Sequence, residues 1–150
     1  MKQNINKQST TILSMLLFGI GLLISFNIFA QAAVTHAVGD TLSDGSIVFW
    51  VDETGQHGLT AWPSDEAGDD WYKANESTDG HGPGWRLPTK FELNLLFLQK
   101  AVVGGFGDVS LYWSSTESSI TGAWAQDFSS GLQGILNKND VPRGRAVRDF

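Results

Sequence analysis

The chain has 150 residues and no cysteine, and its 16 acidic and 10 basic side chains give a net charge of −6. This length suits one domain with a short appendage, and 41% hydrophobic residues with six tryptophans suit a packed core. The acidic balance argues against nucleic-acid binding, and the lack of cysteine excludes disulfides, thiolate catalysis and cysteine-ligated zinc.

The first 32 residues have the pattern of a secretory signal peptide. A positive start and an apolar run lead to Ala30-Gln31-Ala32, which has the A-x-A form of a cleavage site. An uncleaved anchor is the alternative, but a transmembrane helix needs about 20 mostly apolar residues, and Ser25 and Asn27 interrupt this run. We therefore expect a secreted domain, residues 33–150, without a membrane span.

The predicted domain opens with a β-hairpin. Residues 47–51 are apolar and rich in β-branched and aromatic side chains, which is typical of a strand inside a sheet. A turn over residues 52–55 leads to a second strand at residues 57–62, which Pro63 ends.

Two helices follow the hairpin. A short helix is predicted over residues 71–74, and a longer one begins after Thr89, which forms a capping box with Glu92. Gly104 and Gly105 end the longer helix, whose wide apolar surface predicts cover on more than one side. Four short strands complete the domain, at residues 111–114, 123–128, 132–136 and 143–150. This order of elements predicts an α+β fold.

No motif of a known catalytic class is present. The patterns G-x-S-x-G, G-x-G-x-x-G, H-E-x-x-H, the P-loop and the EF-hand loop do not occur. The three histidines lack metal-binding spacing. We expect His57 to make a structural hydrogen bond and His81, in a glycine-rich loop, to be solvated.

Four clustered acids could offer oxygen ligands to Ca²⁺. These are Asp65, Glu66, Asp69 and Asp70. They fit no known calcium loop, so the favoured interpretation is a solvated acidic turn in which one acid caps the short helix. The sequence therefore predicts no metal and no cofactor.

A polar loop and the tryptophans point to ligand binding. The loop supplies amide, carboxylate and guanidinium groups, which recognise sugar hydroxyls or sulfates through hydrogen bonds. Trp62, Trp85, Trp113 and Trp124 could supply a stacking surface, although core packing is favoured for each. The candidate ligand-binding residues are Trp124, Asp127, Asn137, Lys138, Asn139, Asp140 and Arg143.

Several sequence blocks occur in the order found in a known family. They are Val48-Phe49, the stretch from Gly55 to Leu59, the GWRLPT motif at residues 84–89, the YWSST motif at 112–116, Ala123-Trp124, and the stretch from Arg145 to Arg148. In this order they resemble the Lcl C-terminal domain family over about residues 40–150. The start of the longer helix is also similar to that of the formylglycine-generating enzymes.

The resemblance implies a C-type-lectin-like α+β domain, with a twisted antiparallel sheet, one long helix and one short helix. It also implies a surface-exposed role in adhesion to glycans or glycosaminoglycans. Arg86 is expected to pair with a buried carboxylate or with carbonyl groups. The cysteine that family members often carry is replaced by Ala146, and the lectin triplets Glu-Pro-Asn, Gln-Pro-Asp and Trp-Asn-Asp are absent. Calcium-dependent sugar binding is therefore not carried over.

We accordingly expect a secreted, non-enzymatic domain that binds a glycan or a surface protein through a loop face. One alternative is a hydrolase built on carboxylates such as Asp127 and Asp140, which would need to face one cleft about 5–10 Å apart. Another is an envelope protein that contacts its partners through an exposed apolar patch and takes no small ligand.

Overall fold

The structure is a computed structural model that describes residues 33–108 and 110–150, so the predicted signal peptide lies outside the described residues. The elements in these ranges are β1 (Ile47–Val51), β2 (Gly58–Ala61), α1 (Trp71–Asp79), α2 (Lys90–Leu98), α3 (Lys100–Val103), β3 (Leu111–Glu117), β4 (Gly122–Asp127), β5 (Gln133–Asn137) and β6 (Val147–Asp149). They confirm the predicted α+β class. Within the described ranges, every helix is too short or too polar to cross a bilayer.

The strands form two antiparallel sheets of three strands each, in the orders β1-β2-β6 and β3-β4-β5. The last strand returns to the first sheet, where Leu59 of β2 lies opposite Asp149 of β6. The predicted C-terminal strand is shorter than expected. Its first part instead runs beside β3, because Arg143 forms a parallel bridge with Tyr112.

The start of α2 is fixed by the predicted capping box. The Thr89 hydroxyl accepts a hydrogen bond from the Glu92 N–H at 3.2 Å, and the Glu92 carboxylate accepts one from the Thr89 N–H at 2.7 Å. Arg86 donates two further bonds to the same carboxylate, at 2.6 and 2.8 Å. Burial raises the pKa of Glu92, but the bonds from Arg86 and Thr89 outweigh it and leave the pKa below its usual range.

Helix α2 packs against strands of both sheets, β1 on one and β3 and β4 on the other. Leu93 and Leu96 are buried, whereas Phe91 and Leu98 are 70% and 64% exposed. Leu95 and Phe97 are half-buried against the apolar core. The helix is therefore covered on more than one side, as predicted, and only the strip with Phe91 and Leu98 is open. Helix α1 is longer than predicted, and Asp70 caps it by accepting a bond from the Lys73 N–H at 3.0 Å.

Two apolar clusters fill the core. The first lies between the two sheets and α2 and contains Phe49, Leu59, Ala61, Leu93, Leu96, Val103, Tyr112, Phe128 and Val147. The second lies under α1, on the opposite face of the β3-β4-β5 sheet, and contains Trp71, Ala74, Leu87, Trp113, Ala123 and Ala125. Trp113 is fully buried and Trp85 is nearly so, in agreement with a packing role for both.

A buried ion pair joins the loop after β2 to the segment before β6. The Arg145 side chain is fully buried and the Asp65 side chain is 4% exposed. Arg145 donates to Asp65 through Nε at 2.9 Å and Nη2 at 2.6 Å, and to the carbonyl groups of Trp62, Gly104 and Gly105. The other Asp65 oxygen accepts bonds from the Tyr112 hydroxyl at 2.8 Å and the Gly107 N–H at 2.7 Å. Burial and this contact with Asp65 raise the pKa of Tyr112.

Candidate ligand-binding groove

A groove of about 480 Å³ lies between the first turns of α2 and the face of the β3-β4-β5 sheet that α2 partly covers. Its lining residues are Thr89, Lys90, Phe91, Asn94, Thr116 and Gln133. We call this feature the α2 groove. Trp124 and Gln126 lie beside it on the same face of the sheet, because Trp124 stands opposite Ile135 and Gln126 stands opposite Gln133 in the β4–β5 register.

Three amide side chains form a connected network at the floor of the groove. Nε2 of the fully buried Gln126 donates to Oδ1 of Asn94 at 3.0 Å. Nε2 of Gln133 donates to Oε1 of Gln126 at 3.1 Å and to the Lys90 carbonyl at 2.8 Å. Gln126 also donates to the Gly131 carbonyl at 3.1 Å, so each amide is held in one orientation.

The same network leaves two amide groups open to the groove. Within residues 33–108 and 110–150, Nδ2 of Asn94 and Oε1 of Gln133 have no hydrogen-bond partner. The first is a donor and the second an acceptor, and both belong to residues that line the groove. Preorganised donors and acceptors of this kind recognise neutral hydroxyl groups.

Two side chains give the groove an aromatic and a cationic border. Phe91 stands at the rim with 70% of its surface exposed. The Lys90 ammonium lies over the Trp124 ring, 3.1 Å from its centroid. Lys90 therefore covers one face of the ring, and a ligand can reach that face of Trp124 only by displacing the lysine.

The predicted polar loop after β5 is occupied by its own contacts. The Asn137 N–H donates to the Asp140 carboxylate at 2.9 Å, and the Asn139 N–H donates to the Asn137 side chain at 3.0 Å. The Lys138 side chain is 5% exposed; its ammonium pairs with Glu117 and faces the Trp71 ring at 4.4 Å. Lys138 is thus part of the packing around α1 and does not face solvent.

Asp127 lies at the other end of the β4–β5 hairpin. Hydrogen bonds from Ser129 and then Ser130 lower the pKa of Asp127, which closes the turn between the two strands. Gly122, at the far end of β4, pairs with Asn137, whose N–H holds Asp140. Five residues of strand, about 16 Å, therefore separate Asp127 from Asp140. This exceeds the spacing of a glycosidase pair, so the structure does not form the hydrolase centre that was the alternative at these two acids.

Arg143 is directed away from the loop that precedes it. Its guanidinium lies against Gly107, where a Cβ atom would be 3.3 Å from Cζ of Arg143 and 3.2 Å from Oδ2 of Asp65. Its Nε is buried without a hydrogen-bond partner in the described part of the chain. The structure therefore does not bring the seven predicted binding residues together, and only Trp124 borders the α2 groove.

The acidic cluster is divided: Asp65 and Glu66 have separate partners, whereas Asp69 and Asp70 both pair with Lys73. Asp65 pairs with Arg145, Glu66 with His81 at 2.5 Å, and Asp69 with Lys73 at 3.0 Å, while Asp70 caps α1. The interpretation as a solvated turn was wrong for Asp65 and Glu66, which are largely buried, and right for the helix cap. Across the described ranges, no group of three or more histidine and acidic side chains is placed to hold a metal ion.

His81 is not solvated as predicted. Its ring stacks on Trp62 with the centroids 4.2 Å apart, and its Nε2 contacts Glu66. The partner is 15 residues away in the sequence, so the local glycine-rich composition could not reveal this contact. His57 is exposed, and its backbone carbonyl accepts a hydrogen bond from the Asp52 N–H at 2.9 Å.

Comparison with solved structures finds a likeness to botrocetin. Its crystal structure aligns with a TM-score of 0.49 and 11% identity over 74% of this chain and 98% of botrocetin. A complex of botrocetin with a mutant von Willebrand factor A1 domain aligns with a TM-score of 0.48 and 10% identity, over 74% of this chain and all of the matched chain. No protein-family model matches the sequence, and no curated protein matches it. Membership of the Lcl C-terminal domain family stays a prediction.

Proposed function

We propose that the chain is an exported, non-enzymatic domain that binds carbohydrate through the α2 groove. The observation that carries the proposal is the amide network, in which Gln126 fixes Asn94 and Gln133 while one donor and one acceptor stay open. Sugar hydroxyls both donate and accept hydrogen bonds, and the apolar faces of sugar rings pack on aromatic side chains such as Phe91. The proposal agrees with the adhesive role that the family resemblance implies, and moves the site from the loop to the groove.

Recognition of a surface protein is the second candidate. Phe91 and Ile135 are exposed on the same side of the domain as the groove, and exposed aromatic and aliphatic side chains serve as anchors at protein interfaces. Export is part of both proposals and rests on the signal-peptide pattern of residues 1–32. Cell fractionation with a C-terminal tag tests it, and retention of the protein in the cytoplasm would contradict it.

The test of carbohydrate binding uses the full chain, purified from an exporting host, on a glycan array and a heparin column. Asn94→Asp keeps the oxygen that accepts from Gln126 and replaces the open donor with an acceptor. We expect binding to fall at least about tenfold, which corresponds to the loss of one hydrogen bond. Gln56→Glu is the matched control, because it converts an exposed amide to a carboxylate in the turn after β1.

Three outcomes separate the possibilities. Loss of glycan binding in Asn94→Asp but not in Gln56→Glu supports the groove. Loss in Asn139→Asp with Asn94→Asp unaffected would return the site to the loop after β5. No retention of the wild-type chain on any glycan at low salt would contradict carbohydrate binding and leave the protein partner as the candidate.

A further inference from the structure

The two sheets have four edge strands, and three of them are covered by other parts of the chain. Thr41 bridges to β1 through Ile47, Arg86 bridges to β6 through Val147, and Arg143 bridges to β3 through Tyr112. Across residues 33–108 and 110–150, no segment pairs with the outer side of β5. A bare edge presents unpaired backbone donors and acceptors, which are a template for another strand.

The register of β5 shows which backbone groups are free. The Leu132 carbonyl accepts from Asp127, and the Lys138 N–H donates to Thr121, so the even-numbered residues of this strand bond to β4. The N–H and C=O groups of Gln133 and Ile135 therefore point outward. The outward N–H of Asn137 already donates to Asp140. The backbone groups that remain free to pair with another strand are therefore those in the middle of β5.

Beta-5 also lacks the features that protect edge strands. Its sequence, QGILN, contains no charge and no proline, and its pairing with β4 is continuous without a bulge. Ile135 at its centre is 56% exposed. In a chain with a net charge of −6, this strand itself contributes no charge, and the Asp140 carboxylate that holds Asn137 is an acid at the end of its outer edge.

The strand is complementary to itself. Gly134 has no side chain, and no atom lies within 4 Å of the position its Cβ would occupy. The hollow there is lined by Leu111, Leu132 and Leu136 among other residues. When two copies of β5 run antiparallel with Ile135 opposite Ile135, Gly134 of one copy stands opposite Leu136 of the other. Each leucine then covers the partner's glycine.

We propose that this chain self-associates through β5 as a two-fold dimer centred on Ile135. The two sheets join into one antiparallel sheet of six strands, with two hydrogen bonds between the Ile135 backbones and one from each Gln133 N–H to the opposing Asn137 carbonyl. A two-fold axis perpendicular to the sheet keeps both α2 grooves on the same side. The dimer does not depend on what the groove binds, so the failure of one proposal leaves the other standing.

The absence of native cysteine allows a direct test with the full chain. In the proposed register the two Ile135 Cα atoms are about 5.5 Å apart, within the range of a disulfide. We expect Ile135→Cys to form a covalent dimer under mild oxidation at least about ten times faster than Ile120→Cys. Ile120 is the matched control because it is an exposed isoleucine in the β3–β4 turn. Equal rates for the two variants would overturn the proposed register.

Sedimentation of the unmodified chain tests the dimer itself. We expect a concentration-dependent dimer that strengthens with added salt, since salt screens the repulsion between two acidic chains. Ile135→Lys should abolish the dimer without changing the melting temperature of the monomer, whereas Ile120→Lys should leave the dimer intact. A wild-type chain that stays monomeric up to about 1 mM at high salt, a concentration that detects even weak association, would overturn the proposal.

Discussion

Replacing Asp65 by asparagine tests whether the buried ion pair holds the domain together. The variant keeps the shape of the side chain and removes the charge that compensates Arg145. It also creates conflicts that no rotation of the amide avoids. Asp65 accepts bonds from Arg145 on one oxygen and from Tyr112 and Gly107 on the other. An asparagine amide must therefore direct its NH₂ group at donors on one of these two sides.

The expected magnitude follows from the burial of both partners. Removing one partner of a buried pair costs about 3–5 kcal/mol, because the remaining charge is left uncompensated. For a domain of this size that loss lowers the melting temperature by about 10–20 °C. Urea unfolding at pH 7, followed by tryptophan fluorescence, measures the free energy of unfolding. A loss below about 1 kcal/mol would show that hydrogen bonding alone satisfies Arg145 and would refute the reasoning.

Asp69→Asn is the matched control for this experiment. Asp69 also pairs with a basic residue, Lys73, at 3.0 Å, but the two side chains are 42% and 62% exposed. Water solvates both charges there, so we expect no measurable change in the urea midpoint. If both variants lost the same stability, the effect would come from the loss of any carboxylate and not from burial.

Two further variants test the helix start and the groove floor. The folded-state pKa of Glu92 is lowered, so its contribution to stability is full above the unfolded pKa near 4.5 and is lost as the pH falls through the folded value. Glu92→Gln should therefore flatten the acid limb of a plot of unfolding free energy against pH; an unchanged slope below pH 4.5 would contradict this. Gln126→Met fills a similar volume but removes the hydrogen bonds with Asn94, Gly131 and Gln133. We therefore expect a loss of stability of about 1–3 kcal/mol together with loss of glycan binding. A larger loss of stability in chemical denaturation would assign the network to folding.

The sequence predicts the elements of this fold well where the signal is local. The hairpin, the Thr89–Glu92 capping box and most of β3 to β5 depend on neighbouring residues, and all of them are present in the structure. The length of α1 was underestimated, because the polar residues after Ala74 carry little apolar periodicity. The position of the segment before β6 depends instead on packing between distant parts of the chain. The segment before β6 lies beside β3, and that arrangement depends on Asp65, 80 residues from Arg145.

The site was harder to predict than the fold. Prediction centred on the polar loop after β5 because its residue types suit ligand binding, but composition does not reveal that Asp140 and Glu117 already occupy those groups. A usable signal did exist in α2. Asn94 is a polar residue among the apolar residues that follow Glu92, and such a residue must find a hydrogen-bond partner when the helix packs. Its partner, Gln126, is 32 residues away and could not be identified from one sequence.

Gln133 belongs to both proposed surfaces, because its side chain lines the α2 groove and its backbone lies at the free edge of β5. Dimerisation through β5 would therefore place two grooves close together, so that two weak glycan contacts act jointly. One groove offers a fixed amide donor, a fixed amide acceptor and an aromatic rim, which is a small set of contacts for a hydrated ligand. Two grooves on the same side of a joined sheet would convert the second contact with a repeating glycan into an intramolecular step. Such linkage raises avidity by about 10²–10⁴ without any new contact. A repeating ligand should therefore separate the wild type from Ile135→Lys, whereas a single sugar should bind both equally.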